Sequence, residues 1–238
     1  MGQFMKSGWI HGSLVAAALA LAACGSDSKP TGPGIAGEAG SASLLIVAQV
    51  RGQEDIGSGQ FSTAFVVNIS DSAAQAVNDA AVTLYHATLG TIQLPWDSIT
   101  PGQYSASANA YQAGTYTLNV RRGSDSLVNA RVISPDLHVI VAPSAGDTLQ
   151  QDQPFNVIWT RVAAAARVEV ETLDYGPVLA TDAGVADTGS YQVPASFVPR
   201  DDQRVRVYRS NQTQLTRGLP GSTFEAEIRN AVEPVRVQ

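Results

Sequence analysis

The sequence predicts an all-β protein, two tandem β-sandwich domains that follow a secretion signal and a disordered linker. Three observations lead there. Val and Thr recur in short runs of alternating polarity, the period-two pattern of strands with one buried face. The 21 Gly and 12 Pro fall largely between those runs, where turns are needed. No long segment carries the 3.6-residue period of an amphipathic helix.

Residues 1–23 have Lys6 as their only charge, ahead of ten apolar residues from Leu14 to Ala23. That is a secretory pattern, and the run is too short for a bilayer core, which takes about 20 residues. An ordinary signal cut near Ala23 and an uncleaved anchor are the alternatives. Leu21-Ala22-Ala23-Cys24 resembles the lipobox of bacterial lipoproteins, and Cys24 is the only cysteine of the chain. The resemblance implies a diacylglycerol thioether on Cys24, an acylated amino group and a cell-envelope residence. Gly25 in place of Asp favours the outer membrane. A lone cysteine forms no intrachain disulfide, so lipidation gives it a role.

Residues 24–41 hold the lipidated cysteine and a Gly/Ser/Pro-rich stretch that cannot bury apolar surface. As a flexible tether it would span roughly 20–25 Å.

The first domain, 42–135, opens with a strand at 43–50, where Leu44, Ile46, Ala48 and Val50 share a face. At 61–69, Thr63, Phe65, Val67 and Ile69 do the same. Further strands are expected at 81–86, 91–94, 104–108, 115–121 and 127–133. The run from Val66 to Asp71, the run from Ala76 to Leu84, and Gly114-Thr115-Tyr116-Thr117-Leu118-Asn119-Val120 resemble bacterial immunoglobulin-like and carboxypeptidase-regulatory-like domains. Ser134-Pro135-Asp136 is too short for a free linker, so limited interdomain freedom is expected.

The second domain, 136–238, has expected strands at 138–141, 155–160, 167–172, 190–193, 204–209, 223–229 and 235–237. Pro143, Gly146, Asp147, Leu149, Val157, Trp159 and Thr160 resemble the opening of bacterial immunoglobulin-like domains. The segment from Asp187 to Tyr191 is similar to their tyrosine corner. In such a sheet, 167–171, 204–207 and 224–228 would be strands C, F and G. The arginine strand would then lie between two glutamate strands, with Arg204 and Arg206 beside Glu169, Glu171, Glu225 or Glu227. Independently solvated charges are the alternative.

Sequence chemistry points away from catalysis. The net charge of −6 becomes −7 without residues 1–23, as 14 basic residues face 21 acidic ones. A mildly acidic chain with no basic cluster argues against nucleic acid. His86 shares parity with Val82 and Leu84 and reads as a half-buried strand residue. His138 has no Cys or His neighbour to build a zinc site. Glu54-Asp55 and Asp201-Asp202 read as solvated loop acids, and Asp182, Asp187, Asp201 and Asp202 as a conceivable calcium set. Tyr85, Trp96, Tyr104 and Tyr111 could form an exposed aromatic strip, with Trp96 the candidate ligand contact.

The expected function is therefore a non-enzymatic, lipid-anchored envelope protein whose domains serve as spacers or protein-interaction modules. It needs no cofactor or metal. The alternatives are a carbohydrate-binding or adhesive surface lipoprotein, and a hydrolase with an unrecognised carboxylate site. The partners expected are a membrane, through the acyl chains on Cys24, and an unidentified protein or glycan.

Overall fold

The computed structural model of the protein describes residues 38–41, 43–55, 58–174, 178–195 and 203–238. Those residues are all-β, and they build sandwiches.

In the first sandwich, one sheet contains β2 (Leu44–Asp55), β3 (Gln60–Asp71) and β6 (Gln103–Ala108), in that order. The facing sheet runs β8 (Asp125–Ile133), β7 (Thr115–Arg122), β4 (Ala81–His86), β5 (Gly90–Leu94). In chain order these are strands A, B and E against G, F, C and C′, the immunoglobulin-type arrangement. Alternation makes the core: Leu44, Ile46, Ala48 and Val50 face Val82, Leu84, Leu118 and Val120 in one buried cluster. The β7–β8 hairpin turns through Gly123 and Ser124, and Gly123 adopts φ 55°.

The second sandwich repeats the scheme. Its smaller sheet orders β14 (Ser190–Val193), β11 (Phe155–Trp159) and β9 (Ile140–Ala142). The larger orders β13 (Val178–Val185), β12 (Arg167–Asp174), β15 (Gln203–Gln214) and β16 (Thr223–Val237). A short β10 (Thr148–Leu149) pairs in parallel with the end of β16. Strands C, F and G are thus β12, β15 and β16, with the arginine strand in the middle as expected.

Two features depart from the sequence reading. The tether was expected to extend through residue 41, but β1 (Ala39–Ser41) pairs antiparallel with the edge of β8. The Glu38 carboxylate also accepts from Thr216 N at 3.1 Å, Thr216 Oγ1 at 3.1 Å and Arg217 N at 2.8 Å. Three small residues with no large apolar side chain become a strand because β8 supplies the partner and Glu38 fixes the entry.

The second departure is larger. Residues 223–229 and 235–237 were expected as separate strands, yet they form a single one, the 15-residue β16. Its first half pairs in parallel with β2, from Thr223↔Val47 to Arg229↔Gln53. One continuous sheet therefore runs β13-β12-β15-β16-β2-β3-β6 across both sandwiches. Phe224 and Ala226 of β16 lie in the first core, and Val235 in the second. Between the cores Ile228 packs with Phe61 and Tyr111.

Candidate functional site

The inward row of the shared sheet at the seam reads Val168, Arg209, Ile228, Gly52, Thr63, by strand register. Gly52 is the narrow point. A Cβ there would lie 2.2 Å from the Tyr111 ring, so only glycine lets that ring lie on the strand. The Tyr111 hydroxyl donates to the Pro135 carbonyl at 2.6 Å, bolting the connector to the first sandwich. Burial pushes the Tyr111 phenol well above its usual range.

Arg209 is the other half of the seam. Its side chain and that of Asp187 are both 0% exposed, and Arg209 Nη2 lies 2.8 Å from Asp187 Oδ2. Nη1 donates to the Asp136 carbonyl at 3.0 Å, and Nη2 also donates to Ala163 O. Asp187 accepts in addition from Trp159 Nε1 at 2.9 Å and Ala165 N at 2.7 Å. Burial alone would raise the Asp187 pKa. The hydrogen bonds from Ala165, Arg209 and Trp159 and the Arg209 charge outweigh it and hold the carboxyl below its usual value. A buried charge so fully satisfied is a structural anchor, since its lone pairs already have donors.

His138 is buried beside this pair. Its Nε2 donates to the Val207 carbonyl at 3.1 Å, which leaves Nδ1 as an acceptor with no partner among the described residues. Burial, reinforced by the Arg209 charge, lowers its pKa to about 4. Asn230 closes the seam: its Oδ1 accepts from Ile140 N at 2.8 Å, and its Nδ2 donates to Glu54. Burial raises the Glu54 pKa, with backbone hydrogen bonds from Ala231 and Gly59 opposing.

The outward face of the same sheet carries charge. Arg206 lies 3.8 Å from Glu171, which also accepts from the Tyr208 hydroxyl at 2.6 Å. Arg206 thus meets the glutamate expected of it. Arg204 pairs instead with Glu233, because the register places Glu225 and Glu227 opposite Gln212 and Ser210. Glu227 is shared by Arg229 and by Arg51, the latter at 3.6 Å. Gln53, Glu54, Arg206, Tyr208, Arg229, Asn230 and Ala231 line a cleft of about 60 Å³, room for a water or two.

The expected site residues fare unevenly. Cys24 and the lipobox residues Leu21, Ala22 and Ala23 lie outside the described residues, as do Asp201, Asp202 and the Asp182 side chain. Trp96 is 43% exposed. The aromatic strip does not form: Tyr104 and Tyr111 are buried, with Tyr104 giving its hydroxyl to Val77 O at 3.0 Å. Strand parity points Tyr104 into the core, Tyr111 packs from the β6–β7 loop onto Gly52, and Trp96 and Tyr85 remain as separate exposed rings. The Asp187 carboxylate, placed in the conceivable calcium set, is taken up instead by donors from Arg209, Trp159 and the Ala165 amide. His86 is more buried than expected and lies against Tyr116, with ring centroids 4.6 Å apart. Glu54 and Asp55 close β2, where a loop was expected. Among the described residues no group of three or more His, Cys, Asp or Glu side chains converges. Arg209, Asn230 and Tyr111 were not singled out as seam residues. For Arg209 and Asn230 the signal was present in the alternation, since 205, 207 and 209, like 226, 228 and 230, fall on inward positions; Tyr111, in a loop, carried none.

No protein-family model matches the sequence, and no curated protein matches it. Among solved structures, the chain is similar to Salmonella α2-macroglobulin reacted with methylamine, at 11% identity over 83% of this chain and 15% of that one, TM-score 0.28. It is similar to the Clostridium thermocellum CbhA fibronectin(III)-like modules at 14% identity, over 82% of this chain and 94% of that one, TM-score 0.26. It is also similar to the Yersinia pseudotuberculosis adhesin InvE at 13% identity, over 79% of this chain and 58% of that one, TM-score 0.23. The chain thus spans only a small part of the α2-macroglobulin. At these TM-scores the likenesses carry no argument about function, and the strand order described above is what defines the fold.

Proposed function

We propose that the protein is a non-enzymatic, lipid-anchored component of a bacterial cell envelope, a stiff two-sandwich spacer that presents surfaces for interaction. The observation that carries this reading is the parallel pairing of β16 with β2, which makes the second sandwich's sheet a continuation of the first's. A flexible joint would leave such edges separate. Here they are paired along seven residues, and Arg209, Tyr111 and Asn230 tie the connector to both sides. The lipobox resemblance at Leu21–Cys24 supports the anchor, and Gly25 favours the outer membrane. The seam's fully buried charges, Arg209 and Asp187, are spent on each other, an arrangement that suits load transfer better than turnover.

Membrane fractionation of the exported wild type and Cys24→Ser, with mass spectrometry of the mature N-terminus, tests the anchor. The wild type is expected in the membrane fraction with an acylated cysteine. An unmodified N-terminus on a soluble product would end the lipoprotein reading.

A further inference from the structure

One end of the first sandwich gathers features that the spacer role leaves unused. The described chain begins there: Glu38 is held by Thr216 and Arg217, at the tip of the β15–β16 hairpin. That tip rests on the start of β2, where Leu219 N donates to Leu44 O at 2.8 Å. Next to it, Leu45 and Val47 form one wall of a mixed groove of about 240 Å³ that Asn68 and Ser70 also line, and Ala74, Ala76 and Pro101 form another. Pro101 belongs to the loop between β5 and β6, whose Ile99 is 88% exposed and whose Trp96 is the half-exposed ring described above. This loop is built, not slack. Asp97 Oδ1 accepts from Ile99 N at 2.8 Å, and Gln103 N donates to Thr100 O at 3.1 Å. Gly102 N donates to Asn78 Oδ1 at 2.7 Å. Hydrogen bonds within the loop and to Asn78 hold its backbone, and it turns an isoleucine outward.

We propose that this loop makes a second contact with the bilayer, Ile99 entering the interface and Trp96 lying at headgroup depth. The proposal rests on the anchored reading, and chain length supplies its argument. Thirteen residues, 25–37, separate Cys24 from Glu38. Fully extended they reach at most about 45 Å, and as a coil about 20 Å. The anchor therefore holds this end, and not the second sandwich, close to the lipid. A tether of that length gives an effective concentration near the millimolar range, so a contact too weak to act alone suffices. Tryptophan and an isolated aliphatic side chain are what a headgroup–acyl boundary accepts. The same end carries Glu38, Asp71, Asp79, Asp97 and Asp125 against Arg121, Arg122 and Arg217, five acids to three arginines. The contact thus suits zwitterionic lipid and weakens on anionic lipid.

The test uses the full lipidated protein, purified from membranes and reconstituted into phosphatidylcholine vesicles with brominated acyl chains. On the anchored reading its emission comes from Trp96 and Trp159, and Trp159 is buried in the second core. The expected result is bromolipid quenching that Trp96→Phe abolishes, that Ile99→Asp reduces severalfold while the protein still floats with the vesicles, and that falls when phosphatidylglycerol is added. Unquenched Trp96 in vesicle-bound protein overturns the contact while leaving the anchor standing. Protein that fails to float removes the anchor and the contact together. Unquenched Trp96 combined with glycan binding that Trp96→Ala abolishes makes the loop a sugar site, and the proposal falls.

Discussion

Gly52 and Tyr111 form a lock whose two halves can be tested separately. A methyl group at Gly52 meets the ring at 2.2 Å, so Gly52→Ala must displace Tyr111 and break its bond to Pro135. The expected cost is about 2–4 kcal/mol, from overpacking plus a lost buried hydrogen bond. In urea melts the pair Gly52→Ala, Tyr111→Ala should cost clearly less than the two single changes added together, because the displaced ring is then absent. Additive costs would mean that Tyr111 does not depend on the bare strand. His138 gives a pH signature. Its pKa is about 4 in the folded protein against about 6.5 free, so the unfolded chain binds the extra proton first. Stability is expected to fall by about 2–3 kcal/mol as pH drops from 6.5 to 4, and to be insensitive to this group above 6.5. Glu54, with its raised pKa, works in the opposite sense within that window, and Asp187 acts below it. The useful measurement is therefore a difference: urea midpoints against pH for the wild type and His138→Phe, whose curves should converge as pH falls. Parallel curves would rule out His138 as the source.

At the scale of elements, β16 belongs to two cores at once. Phe224 is fully buried in the first core although its strand closes the second sandwich. Phe224→Ala is expected to cost about 3–5 kcal/mol, the usual range for such a truncation. The loss should appear as faster amide exchange in β2 and β3, far from residue 224 in sequence. Exchange changes confined to the second sandwich would argue that β16 does not support the first. The strands with clean alternation were legible without coordinates: 81–86 and 190–193 match β4 and β14 end to end. What alternation does not mark is pairing that neighbours impose. β15 continues past Arg209 through Ser210-Asn211-Gln212-Thr213-Gln214, a polar run that pairs because β16 lies alongside it. β13 contains Ala180-Thr181-Asp182-Ala183-Gly184 and is a strand because β12 presents an edge. The parallel match of β2 with β16 joins the two ends of the described chain, and no local pattern carries that information. The seam was half legible: strand parity already turned Arg209, Asn230 and Tyr104 inward, but parity does not say that Asp187 would meet Arg209.

For the whole molecule, the shared sheet predicts a single cooperative unfolding transition. Separate sandwiches on a flexible joint would melt at their own midpoints. Here, unfolding the second sandwich withdraws β16 from β2, exposes Leu215, Phe224 and Ala226 of the first core, and leaves the edge of β2 unpaired. Unfolding the first removes Tyr111 from the connector and Glu54 from Asn230. Each loss is several kcal/mol on the scale of large-to-small core truncations, a large fraction of the roughly 5–15 kcal/mol that holds a domain folded. In Trp96→Phe the emission reports Trp159 alone among the described residues, and so the second core, while far-UV circular dichroism reports both sandwiches. The two urea curves are expected to coincide. Arg209→Leu should shift both curves together to lower urea by about 3–5 kcal/mol, since it strands the buried Asp187 charge. A Trp159 transition that separates from the dichroism curve in the wild-type background of Trp96→Phe would show that the sandwiches fold independently, and the spacer would then be hinged.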